Sequence, residues 1–280
     1  MGSIGRRMAR SGLVLSAIVL AALAATGCAG SSETPETTYI TPAPAPVTPL
    51  PSGVTPAPTA TPAPPPVVGS VVIASDAPDG RWKVTFKKPV VSGVPAAAAA
   101  TATKMNDAIT ARINGYISAF TGGGLPAVAS GAGPSTLEGD FTVALASSTL
   151  VSLRFTVLTY VSGAAQTVGA PGSINFVEAS GATINLADIF VDPTAAVATL
   201  STKAHSALYS ALGTDLTWAG PATALSFFDK AWAMTPTGLE FSWPQGDLAS
   251  MASGMPSATL AWPGLKALIK PASPAGEFVR

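Results

Sequence analysis

Several stretches of the chain alternate apolar and polar residues with a period of two, the pattern of a half-buried β-strand. The longest is LVSLRFTVLTYV at 150–161, in which residues 151, 153, 155 and 157 are apolar whereas residues 152, 154 and 156 are polar. The segment WAMTPTGLEFSWP predicts a hairpin nearer the C-terminus. Further strands are predicted at 81–86 (RWKVTF), 140–146 (DFTVALA), 173–179 (SINFVEA) and 182–190 (ATINLADIF), the last two joined by a turn at 180–181.

Two segments repeat apolar residues at helical spacing instead. The first covers 96–120 and stops at the glycines 122–124. The second has Asp192 as a favoured N-cap and Pro193 at its first position, and it ends before Gly213. The order strand, helix, strands, helix, strands predicts an α+β fold with antiparallel sheets and two main helices. The predicted buried stripes are Met105, Ile109, Ile113, Tyr116, Ile117 and Phe120 in the first helix, and Val197, Leu200, Ala204, Leu208 and Leu212 in the second.

Residues 1–27 have the layout of a bacterial signal peptide. Arg6, Arg7 and Arg10 precede an uncharged run at 12–25, which is shorter than the ~20 apolar residues of a membrane-spanning helix. The run leads into ATGC, and the small residues before Cys28 resemble the lipobox of bacterial lipoproteins, whose cysteine carries the lipid. We therefore predict an extracytoplasmic protein, anchored to the bacterial cell membrane through lipid on Cys28. An ordinary cleaved signal with a chance cysteine is the alternative.

Residues 28–69 are rich in Pro, Thr and Ala and contain almost no large apolar side chain. Such a segment cannot bury enough apolar surface to offset the entropy of ordering, so we predict a disordered tether. Residues 70–271 are numerous enough to form a core of their own. Because Cys28 is the one cysteine, a lipidated chain would form no disulfide. Residues 272–280 are predicted to be a frayed tail.

The charge balance argues against one class of partner. The chain has fifteen basic and fifteen acidic residues, and a neutral protein without a basic patch is not expected to bind nucleic acid. We expect a monomer without a cofactor.

No residue pattern is typical of a metal site or of a known catalytic site. The single histidine, His205, falls near the border of the second helical stripe, and there is no Gly-x-Ser-x-Gly motif and no paired Cys/His spacing. The pairs Glu138 with Asp140 and Asp188 with Asp192 could serve glycoside hydrolysis, but acids at turns and caps have an ordinary structural role. We therefore favour a non-catalytic binding protein, with a cell-wall hydrolase acting on esters or glycans as the alternative.

The C-terminal half contains the most promising surface. Its tryptophans, at 218, 232, 243 and 262, are expected in the core, with ligand contact as the alternative. The Gly-rich loop 245–256 joins two predicted strands, and loops held by a rigid scaffold commonly carry function. The candidate ligand-binding residues of this loop are Gln245, Asp247, Met251 and Met255.

Three stretches, in the same order along the chain, resemble the RsiV-like extracellular domain family. They are PVVSGVP (89–95), GSINFVEASGATINLADIF (172–190) and FFDKAWAMTPTGLEFSWPQGDLASMASGMPSATLAW (227–262). In the last stretch, Asp247 matches an acidic position of the family and residues 252–254 match its small-residue motif. The chain departs from the family at 162–166, where SGAAQ replaces a histidine-containing loop, and at Gly246 and Met251, which replace tyrosines.

The resemblance implies an N-terminal α+β module at 70–171 and an RsiV-like module at 172–271, with a β-grasp-like C-terminal portion. No linker-like composition separates the two modules, so one continuous body is favoured. The family includes a lysozyme-binding anti-sigma factor, and the same module occurs in some peptidoglycan deacetylases and in a mycobacterial secreted immunogenic antigen. A lysozyme-like protein or a wall glycan such as peptidoglycan is therefore the ligand that the resemblance implies.

Overall fold

The computed structural model describes residues 64–93, 99–218 and 220–280. The predicted signal peptide, Cys28 and the tether up to residue 63 lie outside the described residues. The strands form a five-stranded sheet of order β1-β2-β3-β4-β5 and a three-stranded sheet of order β6-β7-β8. The elements in chain order are β1 (Val67–Asp76), β2 (Trp82–Ser92), α1 (Ala99–Gly122), β3 (Ser135–Ala146), β4 (Leu150–Tyr160), β5 (Val168–Val177), α2 (Pro193–Leu212), β6 (Trp232–Met234), β7 (Gly238–Ser242) and β8 (Ser257–Ala261).

Helix α1 connects two parallel neighbours of the large sheet, β2 and β3, whereas every other neighbouring pair is antiparallel. The helix covers one face of this sheet with the predicted stripe, of which Met105, Ile109 and Ile113 are completely buried. Two glycines leave room for rings beneath the helix: a side chain at Gly139 would collide with the ring of Phe86 on the neighbouring strand β2, and one at Gly172 with the hydroxyl of Tyr116 on α1.

The second layer consists of α2 and the three-stranded sheet. Asp192 caps α2 as predicted, because its Oδ1 accepts hydrogen bonds from the N–H groups of Thr194 (2.9 Å) and Ala195 (3.0 Å). The helix and the sheet share an aromatic-rich core. Its buried aromatic members are Phe190, Phe228, Trp232, Phe241, Trp243 and Trp262.

The two layers meet along a polar contact, called the seam below. Backbone groups on the outer edge of strand β6 form hydrogen bonds with side chains of β4 and β5. The N–H of Trp232 donates to Ser173 Oγ (2.9 Å) and its C=O accepts from Asn175 Nδ2 (3.0 Å). The N–H of Met234 donates to Ser152 Oγ (3.0 Å), and that hydroxyl donates to Asn175 Oδ1 (2.6 Å).

Four expectations from the sequence need correction, two of them in the strands. ATINLADIF is not a strand: it forms isolated bridges from Thr183 to Phe176 and from Phe190 to Ile269, on either side of a 3₁₀ turn at Leu186–Ile189. Its turn is confirmed, because Gly181 has a φ of 63°. Strand β1 was not predicted, and it starts at Val67, inside the range expected to be tether.

Residues 272–280 are not a frayed tail. Pro274–Val279 forms a 3₁₀ helix in which Ala275 and Val279 are buried. The ring of Phe278 stacks on Trp262, with 4.8 Å between ring centroids. Apolar residues spaced through this short segment therefore anchor it to the second core.

The α+β class with two main helices is confirmed. The boundary expected between residues 171 and 172 lies within β5, so the two sequence modules share one strand. Within the described part of the chain, none of the helices has both the length and the apolar character needed to cross a membrane.

Candidate functional site

The predicted loop 245–256 lies against the outer edge of β5, where Gln245 attaches it. The backbone N–H of Gln245 donates to the C=O of Gly169 (2.9 Å), and the N–H of Gly169 donates to Gln245 Oε1 (2.8 Å). Gln245 Nε2 also donates to the C=O of Met251 (2.6 Å). The side chain predicted to contact a ligand is therefore committed to holding the loop in place.

The other three loop residues have separate surroundings. The sulfur of Met255 lies against Gly169 and that of Met251 against Gly246. Asp247 forms an ion pair with Lys230, with 3.1 Å between Oδ2 and Nζ. The structure therefore does not bring the four predicted residues together around one cavity, but Asp247 is linked through Lys230 to a neighbouring cleft.

That cleft, called the edge cleft below, has a volume of about 280 Å³ and opens beside β5. Its walls come from α1, β5, the turn after β5 and the segment before β6. The polar lining residues are Arg112, Ser173, Asn175, Thr183, Asn185, Asp229 and Lys230, and Ile174, Ile184 and Trp232 complete the wall.

The edge cleft exists because, within the residues that the structure describes, β5 has no neighbouring strand along part of its outer edge. At one end of β5, the C=O of Asn175 accepts from the N–H of Ile184 (2.8 Å). At the other end, Gly169 is paired with Gln245. Ser173 lies between these two contacts and lines the cleft.

The charges in the edge cleft are mixed. Partial burial raises the pKa of the Asp229 carboxyl, while the indole of Trp232 and the charge of Arg112 act in the opposite direction. Burial also raises the pKa of Tyr116, against the effect of Arg112. The guanidinium of Arg112 therefore acts on both groups, and together with Lys230 and Asp229 it gives the cleft cationic donors and an anionic acceptor.

A second cavity, of about 200 Å³, lies on the other side of the seam. Arg154 of β4 forms an ion pair with Glu240 of β7 at its wall, and its Nε donates to Thr142 Oγ1 (3.3 Å). Glu240 is largely covered, with 12% of its side chain exposed. The guanidinium of Arg154 and the carboxylate of Glu240 neutralise each other and join the two sheets. The charges at this cavity therefore have a structural role.

The remaining sequence candidates have structural roles. Glu138 and Asp140 are exposed on β3, and Asp140 pairs with Lys87 across 3.5 Å. Asp188 accepts a hydrogen bond from Asn185 Nδ2 (2.9 Å), and Asp192 caps α2. No group of three or more His, Cys, Asp or Glu side chains that could hold a metal ion forms within 64–93, 99–218 and 220–280.

The four candidate tryptophans fall into a buried group and one partly exposed residue. Trp232, Trp243 and Trp262 are core residues, each less than 5% exposed. Trp218 is partly exposed, and its ring lies beside the exposed His205, with 5.5 Å between centroids. The expectation of a core position is therefore confirmed for three of the four tryptophans.

Sequence reasoning did not find the residues of the edge cleft. Arg112 is one of several polar residues on the exposed side of α1, and Asp229 and Lys230 precede a three-residue strand. Nothing in their spacing indicates that they meet. The one available signal is the DK pair one residue before the buried strand β6, which places two opposite charges where the chain enters the core.

The comparisons with known proteins bear on the fold. No protein family model matches the chain, and no curated protein matches it. Among solved structures, a DUF3298 family protein from Pseudomonas aeruginosa PAO1 is similar, with a TM-score of 0.53 and 14% identity over 74% of this chain and 95% of that chain. A DUF3298 family member from Bacteroides fragilis NCTC 9343 has a TM-score of 0.45 and 14% identity, over 78% of this chain and 99% of that chain.

The structural neighbours of this chain are thus DUF3298 family proteins, and the first of them supports the α+β fold. At 14% identity this similarity concerns the fold alone. The residues of the edge cleft have to be interpreted from their own chemistry.

Proposed function

We propose that this chain is an envelope lipoprotein that binds a wall glycan in the edge cleft without hydrolysing it. The observation that carries the proposal is the composition of the cleft, where Arg112, Lys230, Asp229 and Asn185 offer cationic, anionic and amide groups within one volume of about 280 Å³. Sugar hydroxyl and acetamido groups both donate and accept hydrogen bonds, and the carboxylates of peptidoglycan stem peptides would pair with the two cations.

The location supports this ligand class. The lipobox-like sequence at Cys28 and the Pro-rich segment after it would place the folded domain outside the cytoplasmic membrane, on a tether long enough to reach the wall. A partly buried acid beside a cation is also a common feature of binding sites.

The cleft favours binding over hydrolysis. Among the described residues its lining includes one carboxylate, Asp229, whereas glycoside hydrolysis ordinarily uses two acids across the scissile bond. A cell-wall hydrolase is the alternative function. Release of cleaved products from the same glycan fragments would reveal hydrolysis.

The test is calorimetric titration of the full chain in detergent with soluble peptidoglycan fragments. Arg112→Gln should weaken binding by about tenfold or more, since a hydrogen bond to a charged group contributes ~1.5–3 kcal/mol. Arg81→Gln is the matched control, because Arg81 is an exposed arginine in the turn before β2 and bonds to Asp79. Equal affinity of both variants for the fragments would reject the edge cleft as the site.

A second ligand, a lysozyme-like protein, comes from the resemblance of 172–190 and 227–262 to RsiV-like domains. The same titration with a lysozyme tests it. Saturable heat with lysozyme and none with the fragments would favour the protein ligand over the glycan.

A further inference from the structure

Among residues 64–93, 99–218 and 220–280, the edge strand β1 lacks the features by which proteins normally prevent strands from pairing between molecules. It is ten residues long, and its register with β2 runs from Val67 to Asp76 without a bulge. The sequence VVGSVVIASD contains no proline and no charge before its last residue. Natural edge strands are usually short, bulged, charged, interrupted by proline or covered.

Strand β1 also exposes apolar side chains, on both faces of the sheet. Val67, Val71 and Val72 are 60%, 48% and 69% exposed, and they are among the most exposed large apolar residues of the described chain. Val67 and Val71 share one face and Val72 lies on the other, so apolar side chains flank the free strand edge on both sides.

The backbone groups that face outward can be assigned from β2. Val91 of β2 lies opposite Val68, and its N–H and C=O are both bonded to the Asn106 side chain, at 2.9 Å each. Val68 therefore directs its own N–H and C=O away from β2, and the alternation of an antiparallel ladder extends this to every second residue. Ser70 agrees, because the residue opposite it is Pro89, which has no N–H.

We propose that β1 pairs antiparallel with β1 of a second copy of this chain, which would join two five-stranded sheets into one. A strand edge is self-complementary in this arrangement, as a two-fold symmetric interface requires. The strand has no charge near its centre, so two copies meet without repulsion, and the exposed valines at 71 and 72 approach each other near the two-fold axis. This dimer would replace the monomer expected from the sequence.

The dimer should be weak, because one strand pair and a few valines form an interface at the small end of the range for specific complexes. A lipid anchor would hold both copies in one membrane and raise their effective concentration. Association is therefore expected to depend on concentration for the chain in solution.

The test is sedimentation velocity of the full chain in detergent, at concentrations up to ~1 mM, where even a contact of a few kcal/mol is populated. The weight-average mass of the native chain should rise with concentration from the monomer mass toward twice that mass. Ser70→Pro should abolish the increase, because it removes an outward N–H that β2 does not use, and proline is tolerated on an edge strand of this kind. Ser70→Ala keeps the N–H and should still dimerise.

Val72→Glu provides a second, independent variant. The new carboxylate lies opposite Lys87 within the monomer, whereas two copies would bring like charges together at the interface. Val191→Glu is the control, since Val191 is a similarly exposed valine outside the sheet, at 65%. Circular dichroism should show unchanged folding of all four variants.

Two results would overturn the proposal. A native chain that stays monomeric throughout would show that β1 does not pair with itself, for instance because another segment of the chain covers it. Dimers that persist in both Ser70→Pro and Val72→Glu would place the interface elsewhere.

Discussion

The interiors of the two layers and the seam between them are held together by different forces. Each interior is apolar, with α1 packed on the large sheet and α2 on the small one. The seam instead consists of hydrogen bonds with the backbone of β6, in which the hydroxyls of Ser152 and Ser173 accept and the amide of Asn175 donates. Apolar packing excludes water and leaves no room for a ligand, whereas a polar seam leaves cavities on both of its sides, one of which is the edge cleft.

The largest effect is expected inside the second layer. Trp243 is 1% exposed and its Nε1 donates to the C=O of Phe227 (3.1 Å). Trp243→Ala should lower the free energy of unfolding by about 3–5 kcal/mol, the usual cost of removing a buried aromatic ring. Urea denaturation measures this cost. A loss below that of the seam variant described next would mean that the interiors do not dominate stability.

Breaking the seam should cost less. Asn175→Ala leaves the C=O of Trp232 and the hydroxyl of Ser152 without their partner, and a buried polar group left unsatisfied costs ~1–3 kcal/mol. Asn185→Ala is the matched control, because Asn185 is exposed and surface substitutions usually stay within ~0.5 kcal/mol. Equal unfolding midpoints for the two variants would show that the seam contributes nothing.

The C-terminal segment extends the comparison to the periphery of the second layer. Phe278 is partly exposed and stacks on Trp262. Phe278→Ala should cost about 1–2 kcal/mol, less than a fully buried ring. Proteolysis near residue 272 should accelerate at the same time. If neither the unfolding midpoint nor the cleavage rate changes, the segment is not anchored in the way the structure shows.

The smallest effect concerns the pH dependence of the edge cleft. Folding raises the pKa of Asp229, so the folded chain holds its proton to higher pH than the unfolded chain does. Stability should therefore fall as the pH rises from the unfolded pKa of about 3.9 through the raised folded value. Asp229→Asn removes this loss.

Urea titrations of the native chain and of Asp229→Asn, on both sides of this pH range, measure the difference. The advantage of Asp229→Asn should increase with pH. An advantage that is the same at acid and neutral pH would show that Asp229 is not destabilised by its surroundings.

Local pattern was sufficient for most of the secondary structure. Both helices, the cap at Asp192, the turn at Gly181 and the C-terminal hairpin appear where the periodicity predicts them. Two segments depart from the structure that their local pattern predicts. Strand β1 has no alternation to detect because it is an exposed edge, and ATINLADIF has alternation but bends into a 3₁₀ turn to reach α2.

The sequence by itself determined the α+β class, the two helices and the buried stripes, because helical and strand periodicities are set by residues that are close along the chain. Only the tertiary structure decided which polar side chains are buried and which of them lie together. Ser152 and Asn175 lie on strand faces that alternation would assign to solvent, yet the small sheet buries both. Arg112, Asn185 and Asp229 meet in one cleft although they are far apart in sequence, and no local pattern records which distant elements come together.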